Sequence, residues 1–483
     1  MRILFLVIIM LAAINASGQW EVDTRISDNS VSSFIQNQGT IASNGNVIHA
    51  VWFDFRISPP KIYYIRSTNN GTNWGISTRI SNDSSKASDP VVCTSGSFVH
   101  VAFVDERHGL SEIYYKQSNN EGTTWGPDIR LTNNGALSYY PSIYATGQTV
   151  HITWFDSRTG RYNIFYKRST DNGITWGNDL QLTNSSGEAR DSYITSNGSF
   201  VCIVWVDTRD FNKEIYCKKS TDGGQTWSDD IRLTNFNSDS VGPTLSVNGS
   251  FIHIAWADRR DNHTEIYYKN STDSGLSWSI DTRMTNLFSD KQSPNIAVSG
   301  NIVHLVWQQC TLGIFNPEIQ YTRSTNNGMT WDTGTRLTYD SVESYDPSIT
   351  VSGQSLHVLW QDKRDGYNAI YYKRNLTGNV GIQNISTEIP SAYSLGQNYP
   401  NPFNARTVIR FEVQKLESRS QNSEVTLKIF DITGKEVATL VNERLQAGTY
   451  ETTFDGSGLN SGVYFYRLTT DGFSETKRMV LIK

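Results

Sequence analysis

After Ile14 the sequence contains no long apolar stretch, and this absence excludes a helical membrane span from the mature chain. A strong charge of one sign is also missing. There are 42 basic and 47 acidic residues, a formal net charge of -5, and no basic cluster typical of a nucleic-acid surface. Only four cysteines occur, and no loop combines His, Asp and Glu at the spacing of metal ligands. We therefore expect no metal, no cofactor and no nucleic-acid partner.

The N-terminus predicts export. Arg2 gives a short positive start, and the apolar run from Ile3 to Ile14 is too short for a comfortable membrane span. Ala16-Ser17-Gly18 has the small residues of a cleavage site, so we predict a signal peptide over residues 1–18 and a mature chain from Gln19. No Cys follows the apolar run, which argues against a lipoprotein anchor.

An eight-residue pattern, S-x-[D/N]-x-G-x-x-W, occurs six times at intervals of 51 residues, with 53 before the last copy. The Asp or Asn holds a turn through backbone N–H groups, the Gly supplies a positive φ, and the Trp is an apolar anchor. A fixed period of this size indicates copies of one supersecondary unit. The third and eighth positions of this octet are Asn69, Asn120, Asp171, Asp222, Asp273 and Asn326, and Trp74, Trp125, Trp176, Trp227, Trp278 and Trp331.

Each period contains four short strand-like runs, as expected for one blade of an all-β propeller. In the third copy these runs begin at Pro141, Val150, Asn163 and Leu180, and the octet lies between the last two. The second-strand motif occurs seven times, around Trp52, Phe103, Trp154, Trp205, Trp256, Trp307 and Trp360. The sequence therefore predicts seven blades, with six as the alternative.

The last copy ends near Tyr371 without an octet Trp, and the missing piece lies at the other end of the chain. Trp20 to Ser27 matches Trp74 to Ser81, with the same spacing from Trp to Arg. We predict that this N-terminal segment forms the fourth strand of the last blade and closes the ring, which removes open sheet edges. Trp20 is then the seventh structural Trp of the octet series.

Six second strands carry a His and six third strands carry a matching Tyr. In the fourth copy both change together, to Cys202 and Cys217, which predicts that these positions face each other across a hairpin. In an exported protein the two can form a disulfide if the geometry allows it, whereas Cys93 and Cys310 have no evident partner. Because the His copies lie on different blades, we interpret each as a packing partner of its own Tyr. The His–Tyr pairs are His49 and Tyr64, His100 and Tyr115, His151 and Tyr166, His253 and Tyr268, His304 and Tyr321, and His357 and Tyr372.

The octets resemble the Asp box, or BNR repeat, of sialidase-like propellers, and they extend over most of residues 19–376. The resemblance implies a propeller whose octets are turn staples on one face, with the functional loops on the other. For an exo-sialidase it also implies an Arg cluster, a Tyr nucleophile assisted by Glu, and an Asp general acid. Phe55-Arg56-Ile57-Ser58-Pro59 is similar to the first Arg motif of that family, yet Arg56 also belongs to the repeat. The complete set of catalytic residues of that family cannot be identified in this chain.

A different module follows a polar linker at residues 377–393. Residues 394–483 contain six strand-like runs with Gly turns, which predict a small immunoglobulin-like β-sandwich. The segments LGQNYPNPFN, IFDITGKEVATLV, SGVYFYRL and KRMVLIK resemble the C-terminal sorting domain of type IX secretion substrates in Bacteroidetes-like bacteria, although Ala405 replaces a frequent Pro. The resemblance implies contact with the type IX secretion machinery, export through the periplasm, and a secreted or surface-attached product.

The loops opposite the octets carry a repeated Asp-x-Arg, whose two side chains lie on one side of an extended strand. It forms either structural ion pairs or a ring of guanidinium groups for carboxylates or sugar acids. Tyr139, Tyr140, Tyr193 and Tyr345 lie in fourth-to-first loops as candidate nucleophiles or sugar platforms. The candidate ligand-binding residues are Asp54 and Arg56, Asp105 and Arg107, Asp156 and Arg158, Asp207 and Arg209, Asp258 and Arg260, and Asp362 and Arg364.

These features favour an exported, surface-displayed or secreted propeller that binds glycans or proteins. They leave enzymatic activity open and favour its absence. A glycoside hydrolase of the exo-sialidase type is the alternative, and a structural surface protein is the second. An asymmetric pocket with several Arg would favour the hydrolase, whereas a near-symmetric ring of paired Asp and Arg would favour binding.

Overall fold

The computed structural model describes residues 20–28, 31–35, 39–81, 85–261, 263–286, 289–311, 314–376, 378, 382–386, 390–404, 406–414, 422–456, 459–470 and 472–482. The predicted signal peptide lies outside these residues. The described chain divides into two compact units, one of residues 20–374 and one that includes residues 375–483. No helix in the described ranges is long and apolar enough to cross a membrane.

Seven antiparallel sheets make up the first unit, and we number them as blades 1 to 7. Each has four strands in spatial order, although the first strand of blade 1 is divided into two pieces. From first to fourth, the strands are Ser33–Phe34 with Ile41–Asn44, Val47–Asp54, Lys61–Ser67 and Thr78–Arg79 in blade 1; Ala87–Ser95, Phe98–Asp105, Glu112–Ser118 and Ile129–Arg130 in blade 2; Ser138–Thr146, Thr149–Asp156, Asn163–Ser169 and Leu180–Gln181 in blade 3; Ala189–Asn197, Phe200–Asp207, Glu214–Ser220 and Ile231–Arg232 in blade 4; Ser240–Asn248, Phe251–Asp258, Glu265–Ser271 and Thr282–Arg283 in blade 5; Lys291–Ser299, Ile302–Thr311, Ile314–Ser324 and Thr335–Arg336 in blade 6; and Ser344–Ser352, Ser355–Asp362, Ala369–Asn375 and Thr24–Arg25 in blade 7.

The sheets form a closed ring. First strands of successive blades contact one another, and the first strand of blade 7 contacts that of blade 1. The N-terminal segment supplies the fourth strand of blade 7, where Thr24 pairs with Tyr372 and Arg25 with Tyr371, as predicted. The Trp20 ring packs edge-on against Tyr321 of blade 6, with centroids 5.1 Å apart. An all-β propeller of seven sheets, closed by its own N-terminus, is therefore the architecture of this unit.

The octets pack each blade against the preceding one. In the octet of blade 4, Trp227 packs edge-on against Tyr166 of blade 3, with ring centroids 5.1 Å apart. A Cβ atom at Gly224 of the same octet would lie only 2.0 Å from the Tyr166 hydroxyl. The Gly is therefore required by the neighbouring blade as well as by its φ of 81°. The Ser220 hydroxyl closes the turn, because it accepts the Gly224 N–H at 2.8 Å and donates to Asp222 at 2.8 Å.

The His and Tyr series pair within blades, as predicted from their joint replacement. Each His Nδ1 lies 2.6–3.0 Å from the hydroxyl of its Tyr. Blade 4 corrects the disulfide prediction, because Cys202 and Cys217 are buried free thiols. Cys202 is directly opposite Lys219, and Cys217 is directly opposite Val204, so the two cysteines are diagonal neighbours. Diagonal Cα atoms are roughly 7–8 Å apart, whereas a disulfide needs about 4.4–6.8 Å.

The Gly–Tyr contact predicts a large difference between two equivalent substitutions. Gly224→Ala should destabilise the propeller by about 3 kcal/mol, because Tyr166 must leave its packed position and the backbone keeps a positive φ. Gly275→Ala should cost only about 1 kcal/mol, since Cys217 replaces the Tyr there and a Cβ would meet side-chain atoms at 3.3 Å or more. Urea denaturation of both variants tests this. Equal losses of stability would contradict the steric role of Tyr166.

The second unit contains two four-stranded sheets. Side chains from both sheets, among them Phe411, Leu427, Tyr466 and Met479, form one hydrophobic core, which is consistent with the predicted sandwich. Residues 382–386 correct the predicted linker, because they form an edge strand paired with Gly448–Asp455. In spatial order the strands are Ile382–Ser386, Gly448–Asp455, Arg406–Val413 and Ser394–Leu395 in one sheet, and Glu436–Gln446, Asn422–Phe430, Gly462–Thr470 and Phe473–Leu481 in the other.

Candidate functional site

The two ends of the blades differ in what they can bind. The octets follow the third strands at one end, where their side chains are occupied in closing turns. The loops from second to third strands and from fourth to first strands lie at the other end, which we call the loop face. The Asp-x-Arg residues lie at this end. The four candidate tyrosines correct their predicted place in loops, because Tyr139, Tyr140, Tyr193 and Tyr345 lie in first strands.

The Asp-x-Arg pairs of the loop face are bound to each other within each blade. In blade 3, Arg158 donates to both carboxylate oxygens of Asp156, and its second terminal nitrogen lies 2.6 Å from Asp179 Oδ2. The other Arg residues repeat the arrangement with Asp128, Asp230, Asp281 and Asp23 as second carboxylates, except that Arg56 has Ser77 at 3.0 Å. Each of the six Asp side chains is at most 1% exposed.

In these ion pairs the Arg guanidinium groups, which a ligand carboxylate would need, are already bound to Asp side chains. Burial alone would raise the pKa of Asp207, yet hydrogen bonds from Arg209 and Trp205 hold that pKa below its ordinary value. The Arg209 guanidinium also lies over the Tyr216 ring at 4.4 Å. A ligand carboxylate would have to displace an existing carboxylate from the guanidinium. The sixth blade lacks the pair, and there Gln308 Oε1 accepts the Asp346 backbone N–H at 2.9 Å.

The first strands surround a central cavity of ≈ 470 Å³. Six of them contain a β-bulge near their start, which is the end at the loop face. A non-glycine residue takes a positive φ at five of these bulges, with values of 51–53°. Such residues are uncommon and concentrate at functional sites. They are Asp89, Tyr140, Asp191, Ser293 and Asp346.

A groove of ≈ 400 Å³ opens beside the central cavity on the loop face and includes Tyr140 and Asp191 in its lining. Tyr140 is 45% exposed and stacks on Phe155, with ring centroids 5.5 Å apart. Arg190 binds Glu188 at 2.7 Å and remains 42% exposed, with its guanidinium 4.2 Å from the Tyr162 centroid. Thr208 and Lys213, at the two ends of one loop, complete the opposite wall. Two cations, the two carboxyl groups of Glu188 and Asp191, and aromatic rings therefore meet in one concave place, which we call the blade 3–4 groove.

The titratable groups around the cavity mouth are perturbed by their surroundings. Burial raises the pKa of Tyr140, and the negative charges of Asp89, Asp191 and Asp346 raise it further. Burial also raises the pKa of Asp191, against the opposing charges of Arg190 and Lys213. Asp191 is open to the cavity, but the surrounding walls displace enough water to disfavour its charge. The pKa of Asp346 is raised to about 6 by burial, despite hydrogen bonds from Ser293 and Gln361.

The structure brings together only part of the predicted loop-face set. Tyr140 lines both the groove and the central cavity, and Tyr193 lines the cavity. Tyr345 instead donates to Asn368 at 2.5 Å, and Tyr139 packs near Phe155. Sequence reasoning missed Arg190, Asp191 and Lys213 as members of one site. No group of three or more His, Cys, Asp or Glu among the described residues is placed to hold a metal ion.

Both units are similar to known proteins. Residues 397–483 match the secretion system C-terminal sorting domain. A sialidase of Clostridium perfringens is 23% identical over 208 residues, covering 36% of this chain and 53% of that protein. The chain thus spans about half the length of this curated relative.

Solved structures are similar to this chain at low sequence identity. The polysaccharide lyase Uly1 aligns with a TM-score of 0.52 at 10% identity, covering 74% of this chain and 99% of Uly1. The phage phi92 endosialidase has a TM-score of 0.45 at 9% identity, covering 90% of this chain and 80% of that one. A Trypanosoma rangeli sialidase in complex with 2,3-difluorosialic acid has a TM-score of 0.44 at 9% identity, with coverages of 94% and 88%. The first unit is a propeller with sequence similarity to a sialidase, and the type IX sorting domain marks the protein as exported, either secreted or attached to the outer surface.

Proposed function

We propose that this exported propeller binds acidic polysaccharides and that the blade 3–4 groove holds one acidic sugar residue. The observation that carries the proposal is the meeting of Arg190, Lys213 and the exposed Tyr140 in one concave site. Binding sites of this kind combine apolar or aromatic walls with a few polar groups that fix orientation. Lys213 would hold the sugar carboxylate, Arg190, which is paired with Glu188 at 2.7 Å, would add positive charge beside it, and the tyrosine ring would face the apolar side of the pyranose.

The two cations are departures from the repeat, which supports a role beyond architecture. The positions equivalent to Lys213 hold Ser111, Tyr162, Thr264 and Asn368 in blades 2, 3, 5 and 7. The positions equivalent to Arg190 hold Ser88, Tyr139, Val241 and Tyr345. A propeller blade therefore forms without either cation, and blade 4 alone among these five blades carries both beside a groove.

We assign the Asp-x-Arg pairs a positioning role in this function. Arg209 lies in the loop that carries Thr208 and Lys213, and it is held by Asp207 at 2.6 Å and by Asp230 at 2.8 Å. These bonds fix the base of the loop, so the groove wall keeps its shape before a ligand arrives. A preorganised site loses less entropy on binding.

Hydrolysis of the sialidase type is the second candidate. It is favoured by Asp191, a carboxyl group with a raised pKa that lines the groove together with Tyr140. The sialidase resemblance, however, requires an Arg cluster around the substrate carboxylate, whereas the groove contains Arg190 as its one Arg among the described lining residues. Binding without turnover is therefore the better supported function.

The proposal predicts selective binding that depends on Lys213. The purified full chain should bind oligomers of sialic or galacturonic acid in calorimetry and not their neutral counterparts. Lys213→Met should weaken binding about tenfold, the value of one charge-assisted hydrogen bond. Lys86→Met, which removes an exposed lysine paired with Glu106 at 2.9 Å, should change nothing. Equal binding of neutral oligomers would contradict the proposal, and release of fluorophore from a fluorogenic sialoside would favour the hydrolase.

A further inference from the structure

Phe211 is a fully exposed aromatic residue at the tip of the loop that forms one wall of the groove. It lies three residues after Thr208 and two before Lys213, both of which line the groove. Its backbone has a φ of 73°, a conformation that residues with a Cβ rarely adopt. The chain thus places a large apolar ring in water on a strained backbone position.

The repeats provide an internal comparison for this position. The equivalent residues of blades 2, 3 and 7 are Gly109, Gly160 and Gly366, with φ values of 84–88°. The turn itself is the same, because the N–H of each of these residues and of Phe211 donates to the carbonyl three residues earlier at 2.9–3.2 Å. The fold therefore favours Gly here, and blade 4 keeps a Phe that its architecture does not need.

The loop that carries Phe211 is held rigidly. The Asn212 side-chain amide donates to the carbonyl oxygens of Phe236 and Ser238 at 2.7 and 2.9 Å, and to Glu214 at 2.9 Å. The guanidinium carbon of Arg260 lies 4.2 Å from the centroid of the Phe236 ring. Phe211 is thus presented from a fixed turn, and fixing the ring in advance lowers the entropy lost when a ligand packs on it.

We infer that Phe211 is a stacking platform for a second sugar residue, so that the site takes a chain of acidic sugars that continues from the groove across the loop of blade 4. The inference rests on the proposed function, because the groove must hold the first sugar. The Phe ring matches the apolar C–H face of a pyranose, whereas Lys213 matches a carboxylate. Longer oligomers should therefore bind more tightly than single sugars.

The test compares ligand lengths with variants that restore the repeat. Calorimetry with galacturonic acid oligomers and sialic acid oligomers of one, two, four and six units is run on the full chain, on Phe211→Gly and on Tyr339→Ala. Tyr339 is a matched control, because it is an exposed aromatic in the loop between blades 6 and 7, away from the groove. We expect the wild-type affinity to rise about tenfold beyond one unit and Phe211→Gly to lose that rise, with single-unit affinity unchanged.

The melting temperature of the Phe211→Gly variant distinguishes a binding role of Phe211 from a structural one. Phe211→Gly should keep or raise the melting temperature, since it restores the residue that the turn favours. A rise with ligand length that persists in Phe211→Gly, or that disappears equally in Tyr339→Ala, would overturn the inference. Binding of single units without any gain from length would overturn it and leave the proposed function intact. Binding of no acidic oligomer of any length would overturn both.

Discussion

Acidification from pH 7 to pH 5 is expected to reduce the stability of the propeller by several kcal/mol, because a loss of about 10 kcal/mol from buried His residues is only partly offset by Asp346, whose pKa is raised to about 6 in the folded state. Five buried His residues carry this effect, with folded-state pKa values of about 3 or about 4 against 6.5 in the unfolded chain. At pH 5 each unfolded imidazole is protonated and each folded one is not, which favours unfolding by about 2 kcal/mol per residue. The five residues are His49, His100, His151, His253 and His357.

The sign of this effect follows from the depressed pKa values. The unfolded chain binds more protons than the folded one between about pH 6.5 and pH 4, so stability is complete above pH 6.5 and falls as the pH is lowered through that window. A domain commonly has about 5–15 kcal/mol of total stability. The expected loss therefore reaches the range in which the propeller unfolds.

The local chemistry explains why these rings stay neutral. Each His Nδ1 bonds its Tyr hydroxyl, whereas Nε2 is buried and has no hydrogen-bond partner among the described residues. A second proton would place a charged N–H in an apolar site with nothing to accept it, which is among the most costly arrangements in a protein interior. For His151 and His357, the nearby charges of Arg168 and Arg374 lower the pKa further, after burial.

Urea denaturation at constant ionic strength between pH 4.5 and 7.5 measures the effect. A matched variant combines His151→Cys with Tyr166→Cys, which copies the pair found in blade 4. Burial raises the pKa of Cys202 and Cys217, so such thiols stay neutral across this range. The variant should be less stable at pH 7, but its dependence on pH should be weaker by about 1.4 kcal/mol per pH unit. Stability that stays constant between pH 7 and pH 5 would contradict the assignment.

The features that repeat in the sequence were the ones that could be predicted. The octets set the period, the seven second-strand motifs agree with seven sheets, and the joint change to Cys202 and Cys217 identified two positions that are neighbours on adjacent strands. The same reasoning went wrong on the bond between those cysteines, because joint substitution reports proximity but not the short Cα separation of a disulfide. Conservation of Gly224 within the octet series indicated a positive φ, yet its contact with Tyr166 crosses from one blade to the next.

The groove could not be predicted from the repeat, because it arises where copies differ. Arg190 and Asp191 lie in the first strand of blade 4, Tyr140 lies in blade 3, and only ring packing brings them together. A signal for part of the site was nonetheless present. Phe211 stands where three other copies have Gly, and an aligned comparison of the repeats would identify it as a departure that the turn disfavours.

Removal of residues 20–28 is expected to open the ring and prevent stable folding. This segment supplies the fourth strand of blade 7, and its Ile26 is buried between blades 7 and 1. Asp23 lies 2.8 Å from both Arg364 and Lys373, so its loss leaves two partly buried cations without this carboxylate. Arg364 keeps Asp362 at 2.6 Å, so the larger costs are the lost strand pairing, the lost burial of Ile26 and the loss of the Trp20 contact with Tyr321.

Adding the missing segment as a peptide tests whether the truncated chain fails because its ring is open or because residues have been removed. Without residues 20–28, the outer edge of Ala369–Asn375 becomes an unpaired strand, which invites pairing between chains. We expect the truncated chain to form oligomers in size-exclusion chromatography, and a synthetic peptide of residues 19–31 to restore a monomeric, cooperatively melting propeller. A peptide with Trp20→Ala and Asp23→Asn should restore it poorly, because it keeps the backbone but lacks the anchor and the ion pairs. A truncated chain that melts like the full one would show that seven first strands packed around the centre are sufficient, and that closure by the N-terminus contributes little.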